Sequence, residues 1–523
     1  MKKYILSSAL CLGMGIFFSL RAERLVILHT NDTHSTIDAD KSGAGDVLQR
    51  KALIDSIRGA EPNVILVDAG DVVQGSLYFK FFRGEVEYPL MDEMGYDIRI
   101  LGNHEFDNGI EDIAKYYRQT TGTPISANYD FTGTVLDGIF SPYTIREVGG
   151  RKIGFFGINV DPTSLIDTKN TGGLVWKEII PVANETAEYL KKKLKCDLVV
   201  AVTHIGVVKD GNKTTDYELA AASKDIDIII GGHSHTVINP GEEGDTPSIV
   251  MNSRGRPVLV AQTGKYGRNL GYIAVDLDKL KKSSARDFDY RLIPVTNRFG
   301  EDKLDRDIIA FLEPYRAAVD SVNNRVIARS AGFYSNSDRK GALANFTADM
   351  AYDYARHKAD SLRAISPDFP QVDFAVMNVG GIRQVMDKGD ITEGQILSTY
   401  PFSNHLAIAT LKGSDLIEAM RISALKGGEA VSRQIMVVGG SESDYPLVLL
   451  DGYAVDPDRE YTYATIDYLL GGNDHLTSLA NSRLLWRDDV EVGAPILRYI
   501  ERLGELGLPV DPDTRPRFVT PVK

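Results

Sequence analysis

The sequence predicts a layered α/β fold in two parts joined by a helix. Three observations carry that reading. Apolar runs of strand length, bounded by Gly, Asp or Asn, recur through the first half of the chain, and stretches with helical spacing lie between several of them. Near Phe299 and Gly300 a charged amphipathic segment interrupts the alternation before a second strand-and-helix region begins. The buried-strand candidates of the first part are 25–28, 64–67, 98–101, 153–158, 198–202, 226–230 and 258–260, dominated by Ile, Leu, Val and Phe. Helical spacing marks 47–57, 110–117 and 183–194. Segment 304–322 puts Ile308, Ile309, Leu312 and Tyr315 on an apolar stripe and reads as a connecting helix, which Pro314 should kink because it lacks an amide hydrogen. The second part carries helix-like 343–354 and 413–425 and strand-like 374–377, 435–438 and 461–465. These divisions give a leader over 1–22, a first domain over 23–300, a connecting helix over 301–324 and a second domain over 325–523.

The chain has 523 residues, 43% hydrophobic and 25% charged, enough to bury two or three ordinary cores. That composition excludes a disordered chain, a collagen and a disulfide scaffold. Acidic residues number 72 against 59 basic ones, a net charge of -13, so a groove tracking a nucleic-acid polymer is not expected. A small anion can still bind where the local charge is positive, as at a metal centre. Lys2 and Lys3, an apolar run over 4–20, and Ala22 ahead of Glu23 and Arg24 read as a secretory signal peptide, cut after Ala22 or after Ser19. A retained membrane anchor is the alternative, and Cys11 lacks the flanking pattern of a lipoprotein. The expectation is a periplasmic, secreted or cell-surface protein with no membrane span after cleavage. Cys196 is then the sole cysteine, so no intrachain disulfide supports the fold. Oligomeric state is not legible.

The chemistry gathers where the predicted strands end. In order the segments are Asn31-Asp32-Thr33-His34, Asp68-Ala69-Gly70-Asp71, Gly102-Asn103-His104-Glu105-Phe106-Asp107, Thr203-His204-Ile205-Gly206 and Gly231-Gly232-His233-Ser234-His235. An α/β sheet brings the carboxyl ends of its parallel strands to one edge, so these groups should converge. Asp and His together supply mixed oxygen and nitrogen ligands, suited to Zn, Mn, Fe or Co and poorly suited to a calcium cage or an iron-sulfur cluster. A carboxylate can bridge two cations, which makes a pair about 3.5 to 4 Å apart the natural arrangement. Each segment alone reads as a turn or a satisfied polar pair. The joint placement of five of the chain's 9 His residues after apolar runs reads as a dinuclear centre. His29, inside the first strand, reads instead as a buried structural histidine, and His357 and His405 carry no such signal.

These motifs resemble the 5'-nucleotidase family, which includes bacterial periplasmic UDP-sugar hydrolases and animal ecto-5'-nucleotidases. The resemblance runs over about residues 24–500. It implies a first domain like the calcineurin-like metallophosphatases, layered α/β with two sheets, and a C-terminal α/β 5'-nucleotidase domain. It also implies two divalent metal ions, with Zn, Mn or Co expected and the identity open. One would take Asp32, His34, Asp71 and His235, the other Asp71, Asn103, His204 and His233, with Asp71 as the bridge. Asn103-His104-Glu105-Phe106-Asp107 resembles the family's catalytic dyad, His104 and Asp107, with no role for Glu105. If a helix begins there, His104 and Asp107 share a face, and the carboxylate can orient and charge the imidazole. His104 would then stabilise charge on the phosphoryl oxygens or protonate the leaving group.

In the second domain, Arg383 follows a Gly pair after an apolar strand, which suits a guanidinium reaching a phosphate bidentately. By resemblance, Arg339, Asn378 and Arg383 contact the phosphate and ribose, Phe402 and Tyr468 sandwich the base, and Asp474 accepts from the ribose hydroxyls. Tyr468 stands where Phe is usual, and the loop reads Gly471-Gly472-Asn473-Asp474 where Gly-Gly-Asp is common. The implied function is an exported enzyme of nucleotide catabolism that removes the 5'-phosphate from nucleoside monophosphates. UDP-sugars and nucleoside di- or triphosphates are further candidate substrates. The alternatives are a 2',3'-cyclic nucleotide 2'-phosphodiesterase and, in another class, a non-catalytic nucleotide-binding or adhesion protein of the surface. Because the dyad and the base contacts fall in different domains, the two must meet over the substrate, with a hinge in or beside 302–322.

Overall fold

Apolar runs with no alternating polar face are stable only when both faces are covered, and here they form the middle strands of two stacked sheets. The computed structural model describes residues 24–163, 165–209, 214–241, 246–281, 288–335, 341–441 and 444–519. The expected leader and Arg339 lie outside the described residues.

The strands of the first part are β1 (Arg24–Thr30), β2 (Val64–Asp68), β3 (Ile98–Arg99), β4 (Thr123–Pro124), β5 (Tyr143–Val148) and β6 (Arg151–Asn159), followed by β7 (Leu198–His204), β8 (Ile228–Ile230), β9 (Ile249–Met251), β10 (Pro257–Ala261), β11 (Asn269–Asp276) and β12 (Phe288–Pro294). One six-stranded sheet has the order β12-β11-β1-β2-β3-β4, the other β9-β10-β8-β7-β6-β5. Strands β1 to β4 run parallel, as do β10, β8, β7 and β6, so each sheet presents a row of carboxyl ends. Side chains alternate faces along β1. Leu25 and Ile27 join Val67, Phe155, Val199 and Ile229 in the core between the sheets, whereas Val26 and Leu28 pack under the outer helices.

Helix Val47–Ala60 starts where Asp46 accepts hydrogen bonds from the amides of Leu48 and Gln49. Helix Ile110–Tyr117 lies where helical spacing puts it. The helix expected at 183–194 starts earlier, at Ile179, and changes at Tyr189–Lys193 to a π turn. Pro181 is tolerated in its first turn, where amide hydrogens have no intrahelical partner. The strand expected at 98–101 pairs only over Ile98–Arg99, because the chain turns toward Gly102.

The charged amphipathic segment forms one continuous helix, Arg306–Asn323, with Pro314 inside it. Ile308, Leu312 and Val319 are buried in the cluster under the first sheet's outer helices, so this helix packs on the first part. Ile309, another apolar position of the segment, is exposed. Beyond it lie β13 (Phe374–Met377), β14 (His405–Lys412), β15 (Ala430–Val431), β16 (Glu460–Ile466) and β17 (Arg483–Glu491). They form a five-stranded sheet in the order β15-β13-β16-β14-β17, with a separate core that includes Phe374, Ile408 and Tyr463. Helix Ala342–Arg363 packs its buried Leu343, Ala348 and Ala355 into that core. Among the described residues, no helix is long and apolar enough to cross a membrane.

Candidate functional site

Parallel pairing sets where the polar residues emerge. Asp32 follows β1, Asp71 follows β2, Asn103 follows β3, His204 ends β7 and His233 follows β8. The two sheets bring these ends together in two groups, Asp32 with His34 and His235, and Asp71 with His204 and His233. His34 Nε2 lies 2.9 Å from His235 Nε2, and His233 Nδ1 lies 2.9 Å from Asn103 Oδ1. Asp71 Oδ2 sits between the groups, 3.1 Å from His204 Nε2 and 3.9 Å from His34 Nε2. Asp32 Oδ1 also reaches across, 3.4 Å from His235 Nε2 and 4.0 Å from His204 Nε2.

The backbone is bent to achieve this. Asp32, His34, Asp71, His233 and His235 have φ of 49°, 47°, 57°, 74° and 55°, the left-handed region that side chains other than glycine seldom adopt. Such outliers persist where the surrounding structure holds them, and they cluster at functional sites. Glycine provides the room: a Cβ on Gly232 would lie 2.7 Å from His204 Nδ1, and one on Gly102 would run into Asp71. Further hydrogen bonds fix the orientation of the carboxylates and imidazoles. The His104 amide donates to Asp71 Oδ1 at 2.9 Å, and the His233 amide donates to Asp32 at 3.0 Å. His204 Nδ1 lies 2.7 Å from the Ala69 carbonyl, which fixes its proton there and turns Nε2 toward Asp71.

This donor set fits divalent cations. Donor atoms around a tetrahedral ion with bonds of about 2.0 to 2.1 Å lie roughly 3.3 Å apart, and the imidazole-to-carboxylate distances bracket that value. The charges point the same way. Burial works against a charged His204, yet Asp71, with Asp32 behind it, pushes the imidazole up to about 10. Burial likewise opposes ionisation of Asp71, but the surrounding imidazoles, His204 foremost, hold its carboxyl well below the usual range. The site therefore recruits positive charge, and a bound cation displaces the protons that otherwise supply it.

His104 begins a single 3-10 turn, His104–Phe106, rather than an α-helix, and Asp107 follows it. Three residues make one 3-10 turn, so the two side chains meet, Nδ1 to Oδ2 at 2.9 Å. Burial opposes charge on this imidazole, but Asp107 and then Asp71 hold its pKa above the ordinary value. Sequence reasoning left Glu105 without a role. Its buried carboxylate accepts from the amides of Val72 at 2.8 Å, Asp71 at 3.1 Å and Gly102 at 2.5 Å, tying the Asp71 loop to the Asn103 loop. Nothing in the residue types around Glu105 signals that contact between two loops.

Facing this centre is a cavity of about 550 Å³, lined by Asn103, His104 and Asp107 on one side and by Asn378, Arg383, Phe402, Tyr468 and Asp474 on the other. Asn378 Nδ2 donates to Asp474 Oδ2 at 2.7 Å, and the Tyr468 hydroxyl lies 3.4 Å from Asp474 Oδ1. The Phe402 ring stacks toward His104, with centroids 6.1 Å apart, and the Arg383 guanidinium lies 5.7 Å from the Phe402 centroid. Two ion pairs join the two parts: Lys80 Nζ lies 2.9 Å from Glu491 at the edge of this cavity, and Lys41 pairs with Asp387.

Stacked sheets with a two-cation donor set at their strand ends define a calcineurin-like metallophosphoesterase. Comparison agrees: a family model described as calcineurin-like phosphoesterase matches residues 25–237, and one described as the 5'-nucleotidase C-terminal domain matches 320–481. The chain is thus similar to the 5'-nucleotidases over both parts, and the calcineurin-like phosphoesterases that its first part matches use two divalent cations. It is 28% identical to the 5'-nucleotidase of Bos taurus, over 84% of this chain and 78% of that protein. It is also 28% identical to the trifunctional nucleotide phosphoesterase protein YfkN of Bacillus subtilis over 94% of its own length, but spans only 35% of that longer protein. The crystal structure of a 5'-nucleotidase precursor from Thermus thermophilus superposes with a TM-score of 0.80 at 25% identity, covering 95% of this chain and 99% of that one.

Proposed function

We propose that this chain removes the 5'-phosphate from nucleoside monophosphates. The observation that carries the reading is the cavity, because its two walls hold complementary chemistry at nucleotide scale. In this reading Asp32, His34, Asp71 and His235 hold one cation, and Asp71, Asn103, His204 and His233 hold the other. Cations held there would supply Lewis-acid charge and would lower the pKa of water toward neutrality. His104, oriented through Nδ1 by Asp107, lines the cleft and neutralises or protonates the departing side of the phosphoryl group. Arg383 and Asn378 hold phosphate and ribose, Asp474 accepts from the ribose hydroxyls, and Phe402 and Tyr468 present aromatic faces to the base. Arg339 belongs to the same group by resemblance. Export behind the leader at 1–22, and activity on UDP-sugars or nucleoside polyphosphates, form part of the proposal.

The test is phosphate release from AMP, UMP, UDP-glucose, ATP and 2',3'-cyclic AMP by the metal-depleted protein, with Mn, Zn or Co added back. Release from AMP that returns with metal supports the reading. Release from 2',3'-cyclic AMP alone would replace it with a phosphodiesterase, and no release from any substrate would point to a binding protein.

A further inference from the structure

Gln74 is part of neither the donor set nor the dyad, yet it touches both walls of the cleft. It sits three residues after Asp71 on the same loop, with φ of 73°, and is 1% exposed. Its Oε1 accepts a hydrogen bond at 3.1 Å from Nη2 of Arg383, which belongs to the opposite wall. A guanidinium only donates, so chemistry fixes which end of the amide faces it. The other end, Nε2, is buried with no hydrogen-bond partner among the described residues. A side chain kept only to fill space would be served by Leu or Met, without an unsatisfied buried amide and without a polar group turned at the opposite wall. Among the described residues, the hydrogen bond made by the Arg383 guanidinium is this one, which leaves its other donors for an anion.

We propose that Gln74 is a positioning residue that aims the Arg383 guanidinium at the phosphate group of the substrate. The inference rests on the assignment of Arg383 as a phosphate contact. Gln74 rides on the loop that carries Asp71, and Arg383 rides on the second part, so the guanidinium acquires its orientation only where the two walls meet. The device couples closure of the cleft to phosphate recognition: the loop that presents the bridging carboxylate also presents the acceptor that sets the arginine. Phe402 under the guanidinium limits its tilt, and Gln74 sets its rotation.

The test is a double-mutant cycle on AMP turnover by the metal-loaded full chain, with Gln74→Met, Arg383→Met and the double variant. Metal content and unfolding midpoint are measured alongside. Gln74→Asn, which tolerates the left-handed backbone but is too short to reach Arg383, decides the matter where Gln74→Met disturbs the loop. The expected result is a loss in kcat/KM of about tenfold to a hundredfold for Gln74→Met and Gln74→Asn, the worth of a hydrogen bond to a charged group. Metal content should be unchanged, and the double variant should be no worse than Arg383→Met. Losses that multiply in the double variant, or loss of metal in Gln74→Asn, would overturn the inference and make Gln74 a loop residue. An impaired Arg383→Met beside an unimpaired Gln74→Asn overturns the inference alone. If Arg383→Met leaves AMP turnover intact, the assignment of Arg383 falls first.

Discussion

His104 Nδ1 and Asp107 Oδ2 lie 2.9 Å apart across one 3-10 turn, and the same His104 donates its main-chain amide to Asp71 at 2.9 Å. One residue thus links the proposed dyad to the carboxylate between the two donor groups, yet its imidazole is turned to Asp107. His104→Ala should lower kcat by roughly 10² to 10⁴ without loss of metal, the usual range for a general acid or charge-stabilising group. Asp71→Asn should abolish turnover together with metal binding. Metal analysis of the two variants separates the roles, and loss of a metal equivalent in His104→Ala would make the imidazole a ligand.

Glu105 holds three main-chain amides from two site loops. Glu105→Ala leaves them buried without an acceptor, so the unfolding midpoint should fall and metal affinity should drop about 10- to 100-fold, the scale of losing a group that orients ligands. Titration of Mn or Zn into the chelator-treated protein measures this. Unchanged affinity with a lowered midpoint would reduce Glu105 to a structural tie.

Tyr468 lines the cavity opposite the dyad and reaches Asp474 through its hydroxyl. Tyr468→Ala should weaken AMP by about 1 to 3 kcal/mol, the worth of stacking a base on an aromatic ring, while hydrolysis of p-nitrophenyl phosphate stays nearly unchanged. Equal losses on both substrates would make Tyr468 a packing residue.

His29 is fully buried, with both ring nitrogens lacking hydrogen-bond partners among the described residues, and burial pushes its pKa down to about 3. Its imidazole must be neutral in the folded chain but takes a proton near pH 6.5 when unfolded. The unfolded state therefore binds more protons below that value, and stability is full above it and lost as pH falls toward 3. From pH 7 to 5 this one group should remove about 2 kcal/mol. His29→Leu in the chelated protein should lose correspondingly less over that interval, as read from urea midpoints. Identical slopes for the two chains would show that another group carries the acid sensitivity.

Residue type and spacing alone specify the alternation of strands and helices, the charged helix between the two parts, and the polar residues just past each strand. Those features are local: apolar runs record burial on both faces, and turn residues record where a strand must stop. Even there, detail depends on neighbours, as in the exposure of Ile309 on the connecting helix and the π turn over Tyr189–Lys193. The seven donors could be named along the chain, but only the stacking of two sheets brought His34 within 2.9 Å of His235, 201 residues away. Asp and His are only enriched in the left-handed region, so residue type does not fix that backbone at Asp32, Asp71 and His233, and nothing in it marks Glu105 as an anchor for three amides. The pairing of Gln74 with Arg383 spans 309 residues and joins loops from separate cores. Residue types and periodicity are set by each segment's own solvent exposure, whereas contacts between loops depend on register, crossover and the meeting of two walls, which tertiary packing alone decides.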